Sequence, residues 1–270
     1  MTDGDPNYGL LTEFSGVGVS RNPALERDLP VNIARTWLAK GWRDLWTRPA
    51  LSLGYGLVIT AISLLTIWFL FRMEWDYILF PALAGFMIVA PILAIGLYEK
   101  SRIIEAGGKP TLASMLHVRP KSGKQIFFAG LMLCLLMLLW NRVAVLLYAL
   151  FFGVHPFPGI DNIVHTITST PEGIGLVIVG MAVGALFAAF AFAISVFAIP
   201  MMLDRDVDAL TAMGTSTALV WHNLRALLPW GMIVLALFLA SLATGLLGLI
   251  IVFPLIGHGT WHAYQAAKLD

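Results

Sequence analysis

Between Arg225 and Lys268 the chain carries no Asp, Glu, Lys or Arg at all. A helix needs about 20 mostly apolar residues to cross the hydrocarbon core of a bilayer. The stretch is long enough for two such spans, with a turn at Ala243-Thr244-Gly245. Three other charge-free stretches each suffice for one span. They lie between Arg48 and Arg72, between Asp76 and Glu99, and between Glu172 and Asp204. Between Lys124 and Asp161 the only charge is Arg142, near the middle. Six spans are expected, near 50–71, 77–98, 125–150, 174–202, 225–243 and 247–266.

Composition agrees. Charged residues make up 12% of the 270 and hydrophobic ones 59%, with a mean hydropathy of +0.82. Soluble domains carry about a quarter charged residues. A net charge of +1 supplies no basic body for nucleic acid. Cys134 is the single cysteine, so no internal disulfide forms. Residues 1–29 show no basic segment followed by an apolar one, and are expected to be a loose polar tail without a cleavable signal.

The few charges also orient the chain. With six spans, both termini and the two loops on their side hold 15 of the 17 basic residues, leaving Arg72 at the opposite face and Arg142 inside a span. The positive-inside rule puts both termini in the cytoplasm.

Three stretches have the pattern of helices lying on the membrane surface. In 30–47, Ile33, Trp37, Leu38, Trp42, Leu45 and Trp46 recur at helical spacing, with Arg35, Lys40, Arg43 and Asp44 between them. That makes Trp37, Trp42 and Trp46 expected interface anchors. Thr111 can cap a short second helix with Leu112, Met115 and Leu116. Asp208 can cap a third with Leu210, Met213, Thr217, Val220, Trp221 and Leu224 on one side. Two spans follow each, so residues 30–268 read as a membrane domain of three units: 30–104, 109–205 and 206–268. Pro91 to Glu99 and Pro254 to His262 match weakly at the ends of their spans, with Pro200 at the corresponding place between them.

The block Pro254 to Tyr264, PLIGHGTWHAY, together with Gly41-Trp42 and the six-span layout, resembles the domain-of-unknown-function 2189 family of bacterial integral membrane proteins. The resemblance would cover roughly residues 30 to 268. It implies a polytopic helical fold in the bacterial inner membrane and brings no established reaction.

The candidate chemistry is sparse. His258 and His262, four apart, share one helix face, and His222 falls at the same edge of the membrane. They can serve as two or three ligands of one metal, or as polar anchors ending the last span, and the anchor reading is preferred. Haem would need opposing axial ligands at one depth. Arg142, beside Asn141, is the one charge inside a span. It reads as a snorkelling residue near the outer interface, with a substrate anion contact as the alternative. No phosphate loop, dinucleotide fingerprint, nucleophile elbow or zinc-protease motif is present. The expected protein is thus an all-α, polytopic bundle of six spans with cytoplasmic-side amphipathic helices. It needs no cofactor and catalyses no reaction. It organises lipids or a membrane protein partner in the bilayer. A small-solute transporter or channel, and a haem- or metal-binding membrane protein, are the alternatives.

Overall fold

The structure, a computed structural model, describes residues 25–27, 29–153 and 159–268. Most of the expected tail, and His155 in the loop after the third span, lie outside the described residues. Twelve α-helices and no strand occur among them: α1 (Ile33–Trp46), α2 (Pro49–Arg72), α3 (Leu79–Leu93), α4 (Ile95–Glu105), α5 (Leu112–Leu116), α6 (Gly123–Phe152), α7 (Ile160–Ser169), α8 (Pro171–Ser195), α9 (Ala198–Asp204), α10 (Ala209–His222), α11 (Leu224–Ala243) and α12 (Leu249–Ala267).

Local chemistry sets many of the helix starts. Pro49 and Pro171 stand in the first turns of α2 and α8, where a missing N–H costs nothing. Thr170 accepts from the Gly173 N–H at 3.0 Å to cap α8, and Asp208 accepts from the Thr211 N–H at 2.9 Å to cap α10. Thr111 and Ser114 form a reciprocal capping box on α5. Gly245, at φ +60°, reverses the chain between α11 and α12. Leu246 follows it at φ +68°, and the Thr244 hydroxyl accepts from the Gly248 N–H at 2.8 Å.

Among the described residues, five segments are long and apolar enough to cross a membrane: Pro49–Arg72, Asp76–Glu105, Gly123–Phe152, Pro171–Asp204 and Leu224–Ala243. The protein is thus an all-α, polytopic membrane bundle. The sixth expected span, α12, falls outside this set. Its second half carries His258, Thr260, His262, Tyr264 and Gln265, which lower its hydropathy. The physical reason is its place in the bundle. Twelve of the 19 residues of α12 are buried by other helices, against three of the 25 in α8. A helix wrapped in protein need not match lipid, whereas α8 exposes Met181, Leu186 and Phe190.

Helix α12 lies against α1, α2 and α4. Gly41 meets Gly259 and Asp44 meets His262, so α1 runs parallel to α12. Tyr55 stacks on Phe253 at 6.4 Å while Ser52 bonds His258, so α2 runs antiparallel to it. A second group, α3, α6 and α8, packs alongside, and α10 crosses the end of α8 and α9. Between α3, α6, α8, α11 and α12 lies a cavity of about 1000 Å³ with mostly apolar walls.

Two of the long segments are broken, and each break is repaired by a hydroxyl from elsewhere. Pro91 has no N–H, and α3 gives way to α4 at Ala94. The Tyr55 hydroxyl donates to the freed Leu93 carbonyl at 2.7 Å. At the α8–α9 break, Ser216 of α10 donates to the Ala193 carbonyl at 2.7 Å and accepts from the Phe197 N–H at 3.2 Å.

The amphipathic segment around Trp37 faces differently from the expectation. Trp37 is 1% exposed and meets Trp230 edge-on at 5.9 Å, so it is a core residue and not an interface anchor. The buried stripe of α1 runs Ala34, Trp37, Gly41, Asp44 and Leu45. Small residues at 34 and 41 let the helix approach α12 closely, which turns Trp37 and Asp44 inward and leaves Trp42 and Trp46 outside. Helix α10 departs in part: Met213 and Val220 of the expected side are buried along with Ala209, Ala212, Ser216 and Leu219, while Leu210 and Trp221 are exposed. The chain is also held before residue 30. Asn223 accepts from the Arg27 N–H at 2.8 Å and donates to the Leu25 carbonyl at 3.0 Å.

Candidate functional site

The only ionic cluster deep in the packing sits where α1, α2, α4 and α12 converge, among the described residues. Asp44, Ser52, Lys100, Ser101 and His258 are all buried there, and Lys100, Ser52, Ser101 and His258 are 0% exposed. Helix α1 supplies Asp44 and α2 supplies Ser52. Helix α4 supplies Lys100 and Ser101, and α12 supplies His258 and His262.

Hydrogen bonding gives the cluster a direction. Ser101 Oγ donates its one proton to Asp44 Oδ2 at 2.6 Å. It therefore accepts at 2.8 Å from His258, whose Nδ1 carries the ring proton. The bare Nε2 of the neutral ring then accepts from Ser52 Oγ at 2.9 Å. Ser52 Oγ in turn accepts from the Lys100 ammonium at 2.5 Å. Every link from Lys100 to Asp44 thus points the same way. His262 Nε2 approaches the same Asp44 oxygen at 2.8 Å. The remaining Lys100 bonds go to the backbone carbonyls of Asp44, at 2.9 Å, and Arg48, at 3.5 Å. Arg48, at φ +57° between α1 and α2, is fixed by a bond from its guanidinium to the Pro110 carbonyl at 2.8 Å.

The electrostatics follow. Buried charge is tolerated only when paired and hydrogen-bonded. The cluster holds one lysine and one aspartate, with polar atoms filling the positions between them. Burial pushes the Asp44 carboxyl up, but the hydrogen bonds from His262 and Ser101, together with the charge of His262, outweigh it. The net effect holds Asp44 below its ordinary value.

Around this cluster, polar side chains tie the helix ends. Trp261 Nε1 donates to Glu105 at 3.0 Å, and the Tyr264 hydroxyl donates to Asp204 at 3.1 Å. Arg102 grips Glu99 through two nitrogens at 2.8 and 2.9 Å. The guanidinium of Arg27 reaches the Lys268 carbonyl at 3.2 Å.

The structure brings His258 and His262 into one cluster but surrounds them with hydroxyls and one carboxylate. The His222 ring lies 2.7 Å from the Ala218 carbonyl of its own helix and does not join them. Among the described residues no three His, Cys, Asp or Glu side chains converge as metal ligands. Both ring nitrogens of His258 are already engaged. Arg142 is exposed on α6, outside the cavity wall. Asn141 donates to the Met137 carbonyl at 2.9 Å, and its Oδ1 is buried without a partner. Trp42 and Trp46 are 45% and 52% exposed and meet edge-on at 5.6 Å.

Sequence reasoning finds the His258–His262 spacing and misses the residues that answer it. Asp44 falls in sequence among the cations of its helix, and Lys100 among those of a loop. The available signal is Gly41, one turn before Asp44: a glycine inside an amphipathic helix marks the side on which another helix lies close.

Residues 79–204 match a family model described as a predicted integral membrane protein, domain of unknown function 2189. The match is narrower than the 30–268 expected. It leaves out both Gly41-Trp42 and the Pro254–Tyr264 block. No curated protein and no solved structure matches the chain.

Proposed function

We propose that this chain, whose residues 79–204 match the DUF2189 family of predicted integral membrane proteins, is a non-enzymatic organiser of membrane lipid. The observation that carries this reading is α1. Its buried stripe is pinned to α12 through Asp44 and His262. Its outer surface offers Trp42 and Trp46 beside the exposed Arg35, Lys40 and Arg43. Exposed indoles with neighbouring cations suit a surface of anionic headgroups, where each basic residue contributes about 1 kcal/mol. In this reading the helix lies on the cytoplasmic face of the inner membrane, both termini are cytoplasmic, and α12 is a sixth span lined by protein instead of lipid. The burial of Ser52 and Ser101, the hydroxyls nearest a base, supports a structural role for the cluster and not a catalytic one. Arg142, lying outside the cavity wall, lends no support to a transport path.

Reconstitution tests the proposal. Purified protein in vesicles of zwitterionic lipid, with and without a fifth of phosphatidylglycerol, is probed by native mass spectrometry and by Trp emission. Retained phosphatidylglycerol and a blue shift are expected, both reduced in a Trp42→Ala, Trp46→Ala, Lys40→Gln variant. Equal retention of both lipids by the two proteins defeats the reading.

A further inference from the structure

The large cavity carries two features that the lipid-surface reading does not use. The first is its length. Its wall runs along α3 and α4 from Tyr77 to Tyr98, about 30 Å at the helical rise. A volume of about 1000 Å³ drawn out over that distance is a slot, not a round chamber. It is wide enough for an extended hydrocarbon chain, whose atoms pack at about 4 Å from their neighbours. Gly180 of α8 lines it, and a Cβ there would meet nothing within 4 Å.

The second feature is at one end of the slot. Tyr98 is 2% exposed and Thr260 is 5% exposed, and both line the cavity. Each brings one hydroxyl donor to a wall that is otherwise mostly apolar. On the same wall Ser195 donates to the Ala191 carbonyl at 2.6 Å and Trp140 Nε1 donates to the Pro81 carbonyl at 3.0 Å, while Trp230 Nε1 is buried without a partner. Tyr98 and Thr260 both face the cavity, where a group from outside the chain can accept from their hydroxyls. The acceptor must be uncharged. No Lys or Arg lines the cavity, and the nearby Lys100 ammonium is spent on Ser52 and two backbone carbonyls. An anion there would be buried without a counter-charge.

We infer that the slot is a binding site for an uncharged lipid: a long apolar chain along α3 and α8, ending in a carbonyl oxygen that accepts from Tyr98 and Thr260. A prenyl quinone and a neutral acylglycerol share that chemistry. The site is independent of the headgroup surface on α1.

The test uses full-length protein in mild detergent. Decylbenzoquinone is titrated in, and quenching of Trp140 and Trp230, both on the cavity wall, is followed. Monodecanoylglycerol and decanoate are then added as competitors, and lipid extracted from the untreated protein is identified by mass spectrometry. Saturable quenching is expected, reversed by monodecanoylglycerol and not by decanoate. Tyr98→Phe should raise the Kd about threefold to tenfold, the value of one hydrogen bond. Gly180→Phe should abolish binding by filling the slot. Where Gly180→Phe does not fold, Ala188→Phe on the same wall replaces it. A quinone or an acylglycerol in the extract identifies the natural source. Non-saturable quenching, an unchanged Kd in Tyr98→Phe, competition by decanoate equal to that of the glyceride, or an extract without either neutral lipid overturns the inference.

Discussion

A Cβ placed on Gly41 would stand 2.7 Å from the backbone nitrogen of Gly259. The two helices touch backbone to backbone at that point, and no side chain fits between them. Gly41→Ala is expected to destabilise the protein by about 1–3 kcal/mol through overpacking. Gly54→Ala, where a Cβ meets nothing within 4 Å, should be neutral or slightly stabilising because alanine is the better helix former. Thermal unfolding of the two variants in detergent distinguishes a local clash from a general intolerance to substitution.

The charges of Lys100 and Asp44, linked through Ser52, His258 and Ser101 and not in direct contact, lead to a second expectation. Lys100→Met alone removes the buried cation that reaches the Asp44 carboxylate through Ser52, His258 and Ser101, leaves Ser52 and the Asp44 carbonyl without their donor, and should cost about 1–3 kcal/mol. Asp44→Asn alone should cost a similar amount. The double variant should be more stable than the sum of the single losses implies, because no charge is then left uncompensated. Strict additivity in a double-mutant cycle would show that the two residues do not act as a pair.

Acid sensitivity follows from the depressed Asp44 carboxyl. Its folded pKa lies below the ordinary 3.8, so the folded protein binds this proton less readily than the unfolded chain does. The stability it adds is complete above the unfolded value. It is lost as pH falls from there through the lower, folded value. Melting temperature should therefore drop more steeply below about pH 4 in the parent protein than in Asp44→Asn. Parallel melting curves for the two between pH 3 and 6 would rule out this contribution.

Ser216 should be sensitive in a way its size does not suggest. Ser216→Ala removes both the acceptor for the Phe197 N–H and the donor to the Ala193 carbonyl. Leaving buried backbone groups unpaired costs about 1–3 kcal/mol each. Hydrogen exchange at the α8–α9 junction should accelerate, with little change in α2. Uniform acceleration across all helices would mean that the break is not a local device.

Much of the bundle could be read from charge spacing, since desolvating Asp or Lys in lipid penalises any other arrangement. The turn at Gly245 and the caps at Thr111 and Asp208 were legible because they depend on neighbouring residues only. The inward rotation of α1 was not. The apolar pattern Trp37-Leu38-Trp42-Leu45-Trp46 fits both an outward and an inward face, and the choice depends on Gly259, near the other end of the chain. For the same reason the histidine spacing suggested ligands while concealing their true partners. Asp44, Ser52 and Ser101 come from three other helices, and no local pattern joins them. Hydropathy separated α12 from the other long helices for a physical reason: it measures suitability for lipid, and most of α12 touches protein.

That placement of α12 has a consequence for how the protein is made. Synthesis proceeds from the N-terminus, so α1, α2 and α4 are complete before their shared partner leaves the ribosome. Until then Asp44 and Lys100 lack His258, and the flat backbone of Gly41 faces nothing. The keystone of this arch is the last stone laid, and the earlier helices wait for it with their joint open.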